Sequence, residues 1–170
     1  MSALSGIDPA ELGSYITWLK QNESFEPFAY TDAAGVETIG YGTTNDVFIN
    51  NLSAKEALSG ISESTADSLL REDLDAMYST LSNRMVNLGK DSLFATIPDR
   101  DKLMMLDYEY NVGSINKYPK MRDAILTGNW GVVDNEYERS YLNATTGNWM
   151  PLAKRNTMTF DYFIQDRLTP

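Results

Sequence analysis

Glu23-Ser-Phe-Glu-Pro-Phe-Ala-Tyr30-Thr-Asp32-Ala-Ala-Gly35-Val-Glu-Thr38-Ile-Gly40-Tyr-Gly42 is the stretch on which the reading of this chain turns. A carboxylate stands at the predicted end of a helix. A second follows nine positions on in a turn, and a hydroxyl six further on a short strand. Glu23 falls near the negative end of the helix macrodipole, a position that suits a carboxyl group acting as a proton donor. Asp32 lies in Thr31-Asp-Ala-Ala-Gly35, a predicted turn, where an aspartate often only bonds its own backbone. Thr38 is an ordinary strand residue, and alternation sets Val36, Thr38 and Gly40 on one face with Glu37, Ile39 and Tyr41 on the other. Gly40 and Gly42 allow close approach of a ligand or of a neighbouring element. Each residue alone has a structural explanation. Together they set two carboxyl groups apart with room for a water, which is what cleaving a glycosidic bond requires.

Upstream, Asp8-Pro9-Ala-Glu11 reads as a helix start, with Leu12, Tyr15, Ile16 and Leu19 as one apolar stripe and an end near Gln21–Glu23. From Phe25 to about Phe48, glycine and proline interrupt β-favouring pieces around Phe28–Tyr30 and Val36–Tyr41, predicting a small antiparallel sheet of two or three strands. Downstream the signals are helical. Ser53 with Glu56 forms a capping pair. Ser62 or Ser64 opens a longer helix with Ala66, Leu69, Leu70, Leu74 and Met77 inward. Pro98-Asp99 opens another that ends at Gly113, and Met121, Ala124 and Ile125 lie on a short helix closed by Gly128. Asn129 is expected to cap a helix over Trp130–Leu142, Ala144–Asn148 to be a loop, and Pro151 to open the last helix.

Composition removes most rivals. There is no histidine, so a Ser-His-Asp hydrolase and a typical zinc site are excluded. There is no cysteine, so disulfides and thiolate chemistry are excluded too. Acid–base work falls to Asp, Glu, Lys or Tyr. No cofactor and no metal are expected. The net charge of −10 and the scattered basic residues speak against a nucleic-acid partner. No apolar run reaches bilayer length, so no membrane insertion is expected. Met1-Ser-Ala-Leu-Ser-Gly-Ile7 lacks the basic-then-apolar pattern of a secretory signal.

The frame Tyr30-Thr-Asp32-Ala-Ala-Gly35-Val-Glu-Thr38-Ile39-Gly40-Tyr41-Gly42, with Glu23 nine residues before Asp32, resembles that of the phage-type lysozymes of glycoside hydrolase family 24. The likeness continues through Ile61–Leu74, Leu106-Asp-Tyr-Glu-Tyr110-Asn111-Val-Gly113, Ala124–Trp130 and Pro151–Arg155. It implies an α+β lysozyme-like fold: a small N-terminal sheet lobe, a larger helical lobe, and a cleft between them as the site. The whole of 1–170 would be one such domain. Residues 14–60 would form the β-containing lobe and 61–85 the connecting helix. Residues 86–170, with the N-terminal helix, would form the helical lobe.

The resemblance further implies a muramidase that hydrolyses the β-1,4 bond between N-acetylmuramic acid and N-acetylglucosamine in peptidoglycan, with inversion. Glu23 would protonate the leaving oxygen, Asp32 assist the attacking water and Thr38 orient it. Thr44, Tyr110 and Asn111 match family positions that contact the glycan. The expected partner is the glycan strand alone, met by a monomer. The protein would be a phage endolysin made in the host cytoplasm and released to the wall through a holin-type lesion. A virion-associated lysozyme or an injected effector would share the sequence. Two other readings stand beside it, a non-catalytic peptidoglycan-binding module and a lytic transglycosylase. Many members carry His after the Gly-x-Gly, pairing in several with an Asp that aligns with Asp73. Here that position is Thr43, so the pair is replaced by something else.

Overall fold

The computed structural model describes residues 2–32, 35–143 and 145–168. Ala33 and Ala34 of the frame's turn, and Ala144 of the expected loop, lie outside the described residues. The chain divides into two compact units, Met1–Met77 and Tyr78–Pro170.

In the first unit a 3-10 turn, Ala3–Gly6, leads into helix α1, Pro9–Asn22. Asp8 caps α1 by accepting from the N–H groups of Ala10 and Glu11, and Pro9 takes the first helical position, where no N–H is needed. Tyr15, Ile16, Trp18 and Leu19 are buried, while Leu12 of the expected stripe is half-buried. The helix stops at Glu23, whose backbone turns extended while its N–H still donates to the Leu19 carbonyl at 3.1 Å.

Strand β1, Glu26–Thr31, pairs antiparallel with β2, Glu37–Gly40, and Tyr30 stands opposite Thr38. The register breaks between Glu26 and Tyr30. An Ile39–Thr43 bridge then curls the chain back on β2. Burial on β2 does not follow the two faces: Glu37 is exposed, whereas Thr38, Ile39 and Gly40 are all buried. The strand is short, and its Gly40 end lies against Ala66 and Ile61, so both faces are covered there.

Helix α2, Asp46–Asn50, capped by Asn45, occupies a stretch that the sequence reading assigned to the sheet region. Helix α3, Ala54–Ser59, carries the full Ser53–Glu56 capping box. Helix α4 runs Glu63–Asn87, with Ser62 accepting from the Thr65 N–H. The unit boundary falls inside α4.

The second unit continues with α5, Asp91–Thr96, and α6, Asp99–Val112. Leu103, Met104, Met105, Leu106 and Tyr108 on α6 are buried, and Gly113 ends the helix at φ 78°. After a 3-10 turn, Ile115–Lys117, comes α7, Pro119–Thr127, closed by Gly128 at φ 68°. Helix α8, Trp130–Glu136, is capped by Asn129.

Two expectations fail here. The α8 helix stops at Glu136 instead of reaching Leu142. Ser140–Leu142 is strand β3, antiparallel to β4, Trp149–Pro151, so Pro151 closes a strand and does not open the last helix. The cause is tertiary. The Arg139 carbonyl accepts from the Leu152 N–H and the Asn156 amide, which fixes the chain in the extended form. Asn143 also accepts from the N–H groups of Thr145 and Thr146, making an Asx turn between the strands. Helix α9, Ala153–Thr159, passes through a π-helical turn, Phe160–Ile164, into α10, Gln165–Leu168.

Candidate active site

Glu23, Asp32, Thr38 and Thr44 belong to the first unit. Glu23 is half-buried at the end of α1. Asp32 is half-buried after β1. Its N–H donates to the Val36 carbonyl at 2.9 Å, and its Oδ1 accepts from the Val36 N–H at 2.8 Å. Asp32 thus bonds local backbone on both its N–H and its carboxylate, as the turn reading expects, although Ala33 and Ala34 lie outside the described residues. Thr38 is buried, and its hydroxyl donates to the Val36 carbonyl at 3.1 Å. Val36 thus supplies a donor to Asp32 and an acceptor to Thr38. Thr44 is exposed just beyond the bridge.

Tyr30 is related to three of these residues, Glu23, Asp32 and Thr38. It stands opposite Thr38 in the register, so the two side chains rise from the same face of the hairpin. Partial burial pushes its phenol above the ordinary range, and the Glu26, Asp32 and Glu23 carboxylates push it the same way. Both frame carboxylates therefore act on one ring.

The frame is anchored to α4 and to the turn before it. Ile61 N–H donates to the Pro27 carbonyl at 2.8 Å, and Tyr41 donates to Glu63 at 2.7 Å. Lys20 lies 4.7 Å from the Tyr41 ring centre and 3.2 Å from Asp67. Thr43 fills the place of the missing His by donating its hydroxyl to Asp73.

Tyr110 and Asn111 lie in the last turn of α6, in the second unit, both half-buried. One turn back, Asp107 is fully buried between two guanidinium groups, Arg139 at 2.6 Å and Arg155 at 2.5 Å. Burial pushes the Asp107 carboxyl up, but the two arginines outweigh it and hold the group below the carboxylate range. Arg139 also donates to the Asn111 Oδ1 at 3.1 Å, and the Arg155 guanidinium stands 6.0 Å from the Tyr110 ring centre. A surface cleft of about 500 Å³ is lined by Val112, Lys117, Tyr118, Ser140 and Trp149. Among the described residues, no group of three or more acidic residues is arranged to hold a metal ion, and no helix is long and apolar enough to cross a membrane.

Sequence reasoning passed over Asp107, Arg139 and the second hairpin. Asp107 offered a signal, a charge inside the densely apolar α6. Arg139 offered none, because it sat in a stretch read as helix and its partners lie far away in sequence.

The model of the phage lysozyme family matches residues 20–157. That is most of the chain, and the protein belongs to the phage lysozyme family. Among solved structures it is similar to the muramidase domain of SpmX from Asticaccaulis excentricus, at 19% identity and a TM-score of 0.60, over 96% of this chain and 98% of that one. An endolysin from Escherichia coli O157:H7 phage FAHEc1 is likewise similar, at 19% identity and a TM-score of 0.60, over 92% of this chain and 93% of that one. At such identity the likeness carries the fold, which is α+β and lysozyme-like. No curated protein sequence matches the chain.

Proposed function

We propose that this protein is a muramidase: it hydrolyses the β-1,4 bond between N-acetylmuramic acid and N-acetylglucosamine in peptidoglycan, with inversion, as an endolysin acting on the cell wall. The observation that supports this reading most is membership of the phage lysozyme family over residues 20–157, the stretch that carries Glu23, Asp32 and Thr38, with Tyr30 opposite Thr38 and its phenol raised by burial and by the Glu26, Asp32 and Glu23 carboxylates. Glu23 donates a proton to the leaving glycosidic oxygen. Asp32, held by the Val36 N–H, accepts a proton from the attacking water. The Thr38 hydroxyl spends its own proton on the Val36 carbonyl, so its oxygen accepts the second O–H of that water and aims the nucleophile. Inversion calls for carboxyl groups roughly 6.5–9.5 Å apart, wide enough for the water. Thr44, Tyr110 and Asn111 contact the glycan, and the chain works as one lysozyme-like domain.

The test is Glu23→Gln, assayed on purified peptidoglycan with the fold checked by circular dichroism. A folded variant that loses nearly all lytic activity supports the role of Glu23. Substantial residual lysis overturns it.

A further inference from the structure

The Arg139 side chain is fully buried, and its contacts leave it no freedom. Its backbone N–H donates to the Asn156 Oδ1 at 2.9 Å, and its carbonyl accepts from the Asn156 amide at 3.0 Å. Its guanidinium lies 3.7 Å from the Tyr108 ring centre. It donates to Asp107 at 2.6 Å, to Thr159 at 3.3 Å and to Asn111 at 3.1 Å. Two cations here share the one carboxylate of Asp107, and the Arg139 Nε is buried without a partner. Compared with apolar side chains of the same volume, such a cluster adds little net stability, since buried ion pairs lose in desolvation about what they gain in attraction, even though the charged form of Asp107 is favoured once the arginines are there. Something other than stability accounts for it better.

A guanidinium carries only donors, so it accepts the oxygen edge of an amide and rejects the nitrogen edge. We infer that Asp107 and Arg139 are positioning residues for substrate binding. Asp107 holds Arg139, and Arg139 holds the Asn111 amide in one of its two flips, with the oxygen inward and the N–H donors presented to a glycan acceptor such as an N-acetyl carbonyl. Among the described residues nothing takes those N–H donors. Arg155, on the other oxygen of Asp107, backs the Tyr110 ring in parallel. One carboxylate thereby sets both α6 side chains. The inference rests on the reading that Asn111 contacts the glycan.

The experiment uses soluble peptidoglycan glycan fragments, with KM and kcat read separately and the fold followed by thermal melting. Asn111→Asp keeps an acceptor for Arg139 and removes the outward N–H donors. It is expected to melt no lower than wild type and to raise KM about three- to tenfold, the worth of one hydrogen bond. Arg139→Lys keeps the charge but not the fork that spans Asp107 and Asn111. It is expected to raise KM as Asn111→Ala does, and the double variant is expected to be no worse than Asn111→Ala alone. An unchanged KM in Asn111→Asp overturns the inference, as do Arg139→Lys and Asn111→Ala effects that simply add. If Arg139→Lys does not fold, Asn111→Asp decides alone. Failure of the wild type to cleave any fragment would strike the muramidase reading instead, and calorimetric binding of the same fragments would still read these variants.

Discussion

Thr43 donates its hydroxyl to Asp73 across 2.6 Å, joining the turn after β2 to the middle of α4. Thr43 is buried, and its backbone closes the bridge to Ile39 in both directions at 2.9 and 3.0 Å. A neutral donor therefore holds Asp73 at the position where the family resemblance implies a His. Thr43→Val keeps the shape and removes the donor. It is expected to cost about 1–3 kcal/mol in denaturant unfolding at neutral pH, because Asp73 loses its partner where it is half-buried. An unchanged midpoint would show that the bond contributes nothing.

The same carboxyl predicts a pH dependence. Burial pushes Asp73 up, the Thr43 bond pulls it back and Glu72 pushes it up again, leaving it above its ordinary 3.8. The folded protein then holds this proton more tightly than the unfolded chain. Its contribution to stability is full below 3.8 and is lost as pH rises through the folded-state value. Asp107 has the opposite sign. Held below 3.8, it contributes stability above that pH, and the contribution is lost as pH falls further. Asp73→Asn is therefore expected to flatten the stability profile in the window that opens at 3.8 and runs upward, leaving the acid limb below it intact. Unfolding midpoints across that range check this. A variant profile parallel to wild type contradicts it.

Gly40 is needed for packing. Its φ is +69°, and an added β-carbon would stand 3.1 Å from the Ala66 β-carbon on α4. Gly128 has nearly the same φ, +68°, with open space around it. Both alanine variants suffer the backbone penalty of about 1–2 kcal/mol, and Gly40→Ala adds a squeeze of about 1–3 kcal/mol. Gly40→Ala should thus unfold at clearly lower denaturant than Gly128→Ala. Equal losses would mean that the contact with Ala66 relaxes freely.

Net charge sets the response to salt. At −10 the protein is repelled by anionic wall polymers, so modest salt is expected to leave lysis unchanged or raise it. Lytic rates over a salt series check this, and a steep fall with rising salt would point to attraction through a basic face.

Local chemistry explains what was legible in the sequence. The Asp8 cap, the Ser53–Glu56 box and the glycine stops at 113 and 128 each act through neighbours a few residues away, so a linear pattern reveals them. The frame from Glu23 to Gly42 was legible for the same reason, being a helix end and one hairpin. What escaped depends on distant partners. The stretch around Arg139 carries no local β signal strong enough to overrule a helix. Its extended form follows from Leu152, Asn156 and Asp107, which only the folded chain brings near. The buried face of β2 escaped likewise, since Gly40 and its neighbours are covered by Ala66 and Ile61.

The most direct test of the account is mass spectrometry of peptidoglycan digested by the wild-type protein. Fragments ending in reducing N-acetylmuramic acid are predicted, since the proposed mechanism has Asp32 and Thr38 deliver water to the broken bond. Ends carrying 1,6-anhydro sugar would contradict that water-delivering role, and an undigested sacculus would leave a protein that grips the wall without cutting it.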